Sequence, residues 1–162
     1  GLRIRTQPSE LHGEVFRALG FVPIATDIKQ FVQEVASDTF DAHDNPLTNI
    51  YTFGVHRHHR HITLSSHFFG ASLMLGNERQ YRSWPADVRA AVDEAAAQAT
   101  ARQRQLAAAE DQDVLARLDP RDNEVVRLSA AEHDAFVEAV QPVVARLRAQ
   151  LDPKLFAYLQ SG

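Results

Sequence analysis

Apolar positions along the chain switch between a period of two and a period near 3.6, and the switches mark its elements. Leu2 and Ile4 alternate with Arg3 and Arg5, the pattern of a strand with one face in a core. Pro8-Ser9 then opens a helix with Leu11, Val15, Phe16 and Leu19 at helical spacing, and Gly20 ends it as a left-handed cap. Phe21 to Ala25 is short and apolar, a second strand that carries Pro23. Asp27 caps a second helix whose apolar face is Ile28, Phe31, Val32 and Val35. Phe40-Asp41 reads as the next strand end. This β-α-β-α-β order predicts parallel strands joined by right-handed crossovers, an α/β fold.

Asn45-Pro46 predicts a third helix that runs into Val55, with Asn45 as its N-cap and Pro46 at its first position, where the missing N–H costs nothing. Two strands are expected next, Ile62 to Ser65 and roughly Phe68 to Leu75, after which Asn77 caps a short turn ending at Trp84-Pro85. Pro85 to about Leu118 reads as one long helix, far above the usual length of about a dozen residues. Its apolar positions (Val88, Ala91, Val92, Ala95, Ala99, Leu106, Leu115) are mostly small, which suits a packed connector more than a core pillar. Asp119-Pro120 stops it, and Glu124 to Leu128 forms a last strand. Ser129-Ala130-Ala131-Glu132 is a capping box that opens a helix lined by Phe136, Val140, Val144, Leu147 and Leu151, with a kink expected at Pro142. A final short helix carries Leu155, Phe156 and Leu159.

Composition narrows the function only modestly. The 162 residues, 44% of them apolar, can bury a core as one domain or as half of a larger two-lobed one. A net charge of -4 argues against a nucleic-acid partner, which needs clustered cations. The absence of cysteine excludes disulfides and thiol chemistry. The chain opens on Gly1 and is in a strand by Leu2, with no signal-peptide pattern, so it reads as a mature, proteolysed or truncated piece of something longer.

Two strand-to-helix breaks carry the most chemistry. Arg5 stands at the exit of the first strand, where its planar guanidinium can grip a carboxylate with two parallel hydrogen bonds or simply lie on the surface. Asn45, at the other break, offers one acceptor and two donors to a polar ligand, or serves only as a helix cap. Asp41 and Asp44 read as groups serving the backbone or a helix dipole in preference to an acid–base pair or a metal site. Between His56 and His61, His56/His59 and His58/His61 are three apart, a spacing that can hold zinc on a helix. Interleaved Arg57 and Arg60 oppose a cation, so a solvated, partly protonated face is the stronger reading. His67 lies beside Phe68 and Phe69 and either lines a cleft or is a half-buried core histidine.

Taken together, Gly1-Leu2-Arg3-Ile4-Arg5, Phe16-Arg17-Ala18-Leu19-Gly20 with Pro23, Asp41 through Asn49, Ser65-Ser66-His67, Asn77-Glu78 and Trp84-Pro85-Ala86-Asp87-Val88-Arg89 resemble the C-terminal half of a solute-binding protein of tripartite ATP-independent periplasmic (TRAP) transporters. The resemblance implies a non-catalytic periplasmic protein that captures a small organic acid between two α/β lobes and hands it to a membrane permease. It implies one lobe with a mostly parallel sheet flanked by helices, one long connecting helix and C-terminal helices. Arg5 matches the family's carboxylate-binding arginine, and Asn45 the asparagine of its acid-Asn-Pro motif. The expected ligand set is Arg5, Asn45, Asp44, Ile28, His67 and Phe69, with no cofactor and no metal.

The chain also departs from the family pattern. Ala42, His43 and Asp44 stand where the family commonly has Gly-Gln-Glu, and Thr26-Asp27-Ile28 replaces a frequent aromatic, so stacking on the ligand is lost there. Residues 1–68 and 119–162 are expected to form the ligand-binding lobe, with 69–118 a strand and helix that in the family cross to an N-terminal lobe absent here. Open edges on that segment predict self-association, a dimer or larger assembly. The alternatives are a metal-binding protein using the His56–His61 cluster and a structural fragment that binds no ligand.

Overall fold

The structure, a computed structural model, describes residues 1–153; the expected helix carrying Leu155, Phe156 and Leu159 lies outside them. The chain divides into two compact units, one built from residues 1–67 with the chain from Asp119 onward, the other spanning Phe68–Leu118.

The first unit begins with β1 (Arg3–Thr6), α1 (Glu10–Ala18), β2 (Val22–Ala25), α2 (Ile28–Glu34) and β3 (Ala42–His43). These strands form a parallel sheet in the order β2-β1-β3, as the alternating pattern predicts. The central strand, β1, sets Arg5 opposite Ile24 on one side and His43 on the other. The third strand is Ala42–His43, two residues later than expected, because Phe40 turns into the core.

Local signals place the turns. Gly20 adopts φ +84° after α1, and the bonds from Phe21 N–H to the Phe16 carbonyl (2.9 Å) and from Gly20 N–H to the Arg17 carbonyl (3.0 Å) close a Schellman motif. The Phe16 and Phe21 rings meet edge-on at 5.8 Å, the apolar contact that usually accompanies it. Asp27 caps α2 by accepting the Lys29 N–H at 2.8 Å. Ile4, Val15, Phe16, Phe31, Val35 and Phe40 make the core around this sheet.

The third helix, α3, covers only Leu47–Thr52, and Pro46 occupies its cap. Asn45 therefore does not cap it, contrary to expectation; its side chain has a different partner, described below. Gly54, at φ +71°, ends this passage, and Val55–Arg57 follows as a single 3₁₀ turn. Strand β4 (His61–Leu64) pairs in parallel with β5 (Glu124–Arg127) in a second, two-stranded sheet. Asn123, just before β5, is buried and donates its side-chain amide to the His56 carbonyl at 2.7 Å. The capping box at Ser129 and Glu132 forms as read, and α6 (Ala130–Gln150), with Pro142 inside it, packs on α1, where Arg146 pairs with Glu14.

In the second unit the expected strand from Phe68 to Leu75 is absent: residues 65–77 hold no regular element. A strand needs a neighbour to take its N–H and C=O groups, and none pairs with this stretch among the described residues. Asn77 caps α4 (Glu78–Ser83) by accepting the Gln80 N–H at 3.0 Å. Tyr81 donates its hydroxyl to Asp93 of α5 (Ala86–Arg117), a 32-residue helix. The packed-connector reading of α5 is not met along much of its length: Val88, Val92 and Leu106 remain exposed. No described helix is long and apolar enough to cross a membrane.

Candidate functional site

The C-terminal ends of β1 and β3 bring together most of the side chains singled out in the sequence. Arg5 is only 3% exposed. Its Nε and Nη2 both donate to the Thr26 carbonyl, at 3.0 and 2.7 Å, and its guanidinium carbon lies 5.0 Å from the centroid of the Phe31 ring. The Phe31 face and the carbonyl together hold the cation in one plane. Nη1 has no hydrogen-bond partner among the described residues, so one donor edge of the fork is left over. Burial lowers the guanidinium's affinity for its proton, and Asp44 and Asp27 partly restore it.

Asp44 follows directly, since its N–H donates to the Arg5 carbonyl at 3.1 Å. Its carboxylate, mostly shielded from solvent, lies 3.2 Å from His67 Nε2 through Oδ1 and 4.0 Å from His12 Nε2 through Oδ2. Asp44 thus faces two histidines, where the backbone or a helix dipole was expected. Asp41 does serve the backbone: it takes the Arg3 N–H at 2.7 Å and also grips the Arg3 guanidinium. That pairing holds the Asp41 carboxyl down at about 2.

His67 is positioned from three sides. Its Nδ1 is 2.7 Å from Ser65 Oγ, its ring meets Phe16 edge-on at 5.3 Å, and Asp44 faces Nε2. The intervening Ser66 has φ +48°, a left-handed conformation uncommon for a residue with a Cβ, held where the loop turns His67 onto Asp44.

Asn45 places Nδ2 3.1 Å from His43 Nδ1. The His43 ring is enclosed by Phe31 at 5.4 Å and His59 at 5.0 Å, and burial, more than the neighbouring His59, drops its pKa to about 4. Ile28 opens α2, half-buried, one residue after the Asp27 cap. Phe69 belongs to the second unit, where it is 94% exposed.

The histidine run is not a shared face. Because residues 55–57 form a 3₁₀ turn and a strand starts at His61, the side chains diverge. His56 stacks on Tyr51 at 4.9 Å, His59 turns to His43, and His61 lies 3.4 Å from Glu124. Among the described residues no group of three or more His, Asp or Glu is arranged to hold a metal ion.

Sequence reasoning missed His12 and Phe31 as site residues. His12 is four residues before Phe16, on the same helical face, which is the one available signal that it lies near His67. Phe31 looked like core, and it is core, yet one ring face carries the Arg5 cation.

Comparison with known proteins settles the family. The model of the bacterial extracellular solute-binding protein, family 7 (DctP), matches residues 1–150. The chain belongs to this family. It is 26% identical over 163 residues to the C4-dicarboxylate-binding periplasmic protein DctP of Rhodobacter capsulatus, an alignment covering 100% of this chain and 49% of that protein. Its fold is similar to that of a TRAP periplasmic solute-binding protein from Shewanella oneidensis with bound succinate, with a TM-score of 0.79 and 24% identity over 95% of this chain and 51% of that one. It is likewise similar to the sugar acid binding protein DctPAm of Advenella mimigardefordensis in complex with galactonate, with a TM-score of 0.82 and 25% identity over 95% and 50%. The family 7 chain described here therefore spans about half the length of the relatives it matches.

Proposed function

We propose that this chain is the arginine-bearing portion of a non-catalytic, periplasmic TRAP-type solute-binding protein, and that Arg5 captures the carboxylate of a small organic acid for delivery to a membrane permease. The observation that carries the reading is the Arg5 fork: buried, fixed by Thr26 and Phe31, with Nη1 left over, on the residue whose backbone carbonyl accepts the Asp44 N–H. A guanidinium held in this way has already lost its rotamer freedom, so a carboxylate meets it at little further ordering cost. Asn45, Asp44, His67 and Ile28 belong to the same proposed site, and Phe69, from the segment that follows, is proposed as a further ligand contact. The bound succinate and galactonate of similar structures support an acid as the ligand class.

Calorimetry with succinate, galactonate and acetate, comparing the chain with Arg5→Lys, tests this. A charge-assisted bond of this kind is worth about 1.5–3 kcal/mol, so Arg5→Lys is expected to weaken binding by at least about tenfold. Unchanged binding in Arg5→Lys overturns it.

The segment Phe68–Leu118 belongs to the same proposal as the part that joins a second lobe. Phe69, Leu73, Met74 and Leu75 are all largely exposed on it, an apolar stretch that favours self-association of the isolated chain. Light scattering that finds a clean monomer at high concentration removes that element.

A further inference from the structure

We propose that His12 is a ligand-responsive residue of this site, taking up a proton from solvent as an acid docks on Arg5 and releasing it as the acid leaves, so that capture is proton-linked. The inference rests on the carboxylate-gripping role of Arg5 and goes beyond it by assigning a residue and a coupled proton.

The groups facing His12 come from three other elements: Asp44 from the turn after β3, with Oδ2 at 4.0 Å, His67 from the loop after β4, and Arg5 from β1. From its own side, Gln7 Nε2 lies 2.8 Å from His12 Nε2. Burial, His67 and Arg5 oppose a proton on His12, and Asp44 favours one. The imidazole is therefore neutral around pH 7, beside one guanidinium and one carboxylate. A docking carboxylate changes this balance twice. It neutralises Arg5, removing one of the charges that oppose the imidazolium, and it adds a second anion beside Asp44 in a shielded place. Both changes favour His12 in its charged form, which then pairs with Asp44 and relieves the repulsion between the two carboxylates. The Gln7 amide, whose other end is an acceptor, can turn to receive the new N–H.

The test is a histidine-resolved NMR titration of the 162-residue chain from about pH 5 to pH 8, in about 0.1 M acetate and in the same concentration of chloride. The His12 midpoint is expected to rise by about half a unit or more in acetate, while the exposed His133 on α6 stays in place. Acetate affinity is expected to weaken with rising pH, by about threefold in all for a half-unit shift, and His12→Gln to flatten that dependence. If acetate shifts the Arg5 Nε–H resonance but leaves the His12 midpoint unmoved, the proton linkage is overturned and the Arg5 grip stands. If acetate moves neither, the grip itself falls and the linkage with it.

Discussion

The side-chain nitrogen of Asn45 lies 3.1 Å from Nδ1 of His43, and this contact accepts only one protonation state of the ring. An amide N–H can donate only to an imidazole nitrogen with a lone pair, so the contact assigns the proton of neutral His43 to Nε2. Burial independently pulls His43 to about 4, well below the 6.5 of a free imidazole. Geometry and electrostatics therefore agree that Asn45 is oriented by an uncharged neighbour.

A pH dependence follows with a definite sign. The unfolded chain binds a proton on His43 near pH 6.5 and the folded chain only near 4, so the contribution to stability is complete above about 6.5 and is lost as pH falls toward 4. The full loss is roughly 3 kcal/mol. His12 and His59, also held down by burial, act in the same direction, so the variant His43→Gln is needed to isolate the effect. Urea unfolding at a series of pH values is expected to show a much shallower acid slope in His43→Gln. Parallel slopes in the two proteins would show that His43 is not the group responsible.

At the end of α1, Gly20 takes φ +84°, and beyond its chain neighbours no atom of the described residues lies within 4 Å of where a Cβ would stand. The cost of Gly20→Ala is then conformational alone, about 1 kcal/mol. Chemical denaturation is expected to show that loss with an unchanged slope. A larger loss would mean that the α1–β2 turn rearranges and takes the Phe16–Phe21 contact with it.

How far these features could be read in advance depended on the range of the interaction. Gly20, Asp27, Asn77 and the Ser129–Glu132 box act within a few residues, so spacing alone locates them. Arg5 stands out because it follows two alternating apolar positions at a strand exit. Asn45 was misplaced as a cap because the φ of Pro46, -57°, suits the cap and the first turn alike, and His43 two residues back competes for the amide. The Asp44, His12 and His67 group joins a turn, a helix and a loop that are far apart in the chain, and no local pattern encodes such a meeting. The run from Phe68 to Leu75 has the composition of a strand but nothing to pair with, and composition does not supply a partner.

On the rim of the sheet, Arg3 and Asp41 form a forked pair that also ties β1 to the start of β3. The Asp41 carboxyl is held at about 2, against 3.8 when unpaired, so its contribution is present above about pH 3.8 and is lost as pH falls through 2. Because the pair is exposed, salt screens it. Asp41→Asn is expected to destabilise the chain slightly at neutral pH and low salt, and the difference from the parent should shrink both in acid and at high salt. A difference that ignores salt would place its origin in the Arg3 N–H bond and not in the ion pair.

Three residues along the same strand, Thr6 is fully buried, and its hydroxyl finds no hydrogen-bond partner among the described residues, although its backbone carbonyl accepts the Thr26 N–H at 3.0 Å. An unsatisfied buried hydroxyl costs about 1–3 kcal/mol, and valine keeps the branched shape without it. Thr6→Val is therefore expected to raise stability by about 1 kcal/mol, read from the urea midpoint. Successive strand side chains point to opposite faces, so Thr6 lies with Ile4 on the side away from Arg5, and the same variant is expected to leave acid binding unchanged. Stabilisation with binding intact assigns the hydroxyl no part in the site. Weakened binding would instead extend the ligand's reach across β1 and require a proposed site open to both faces of the strand.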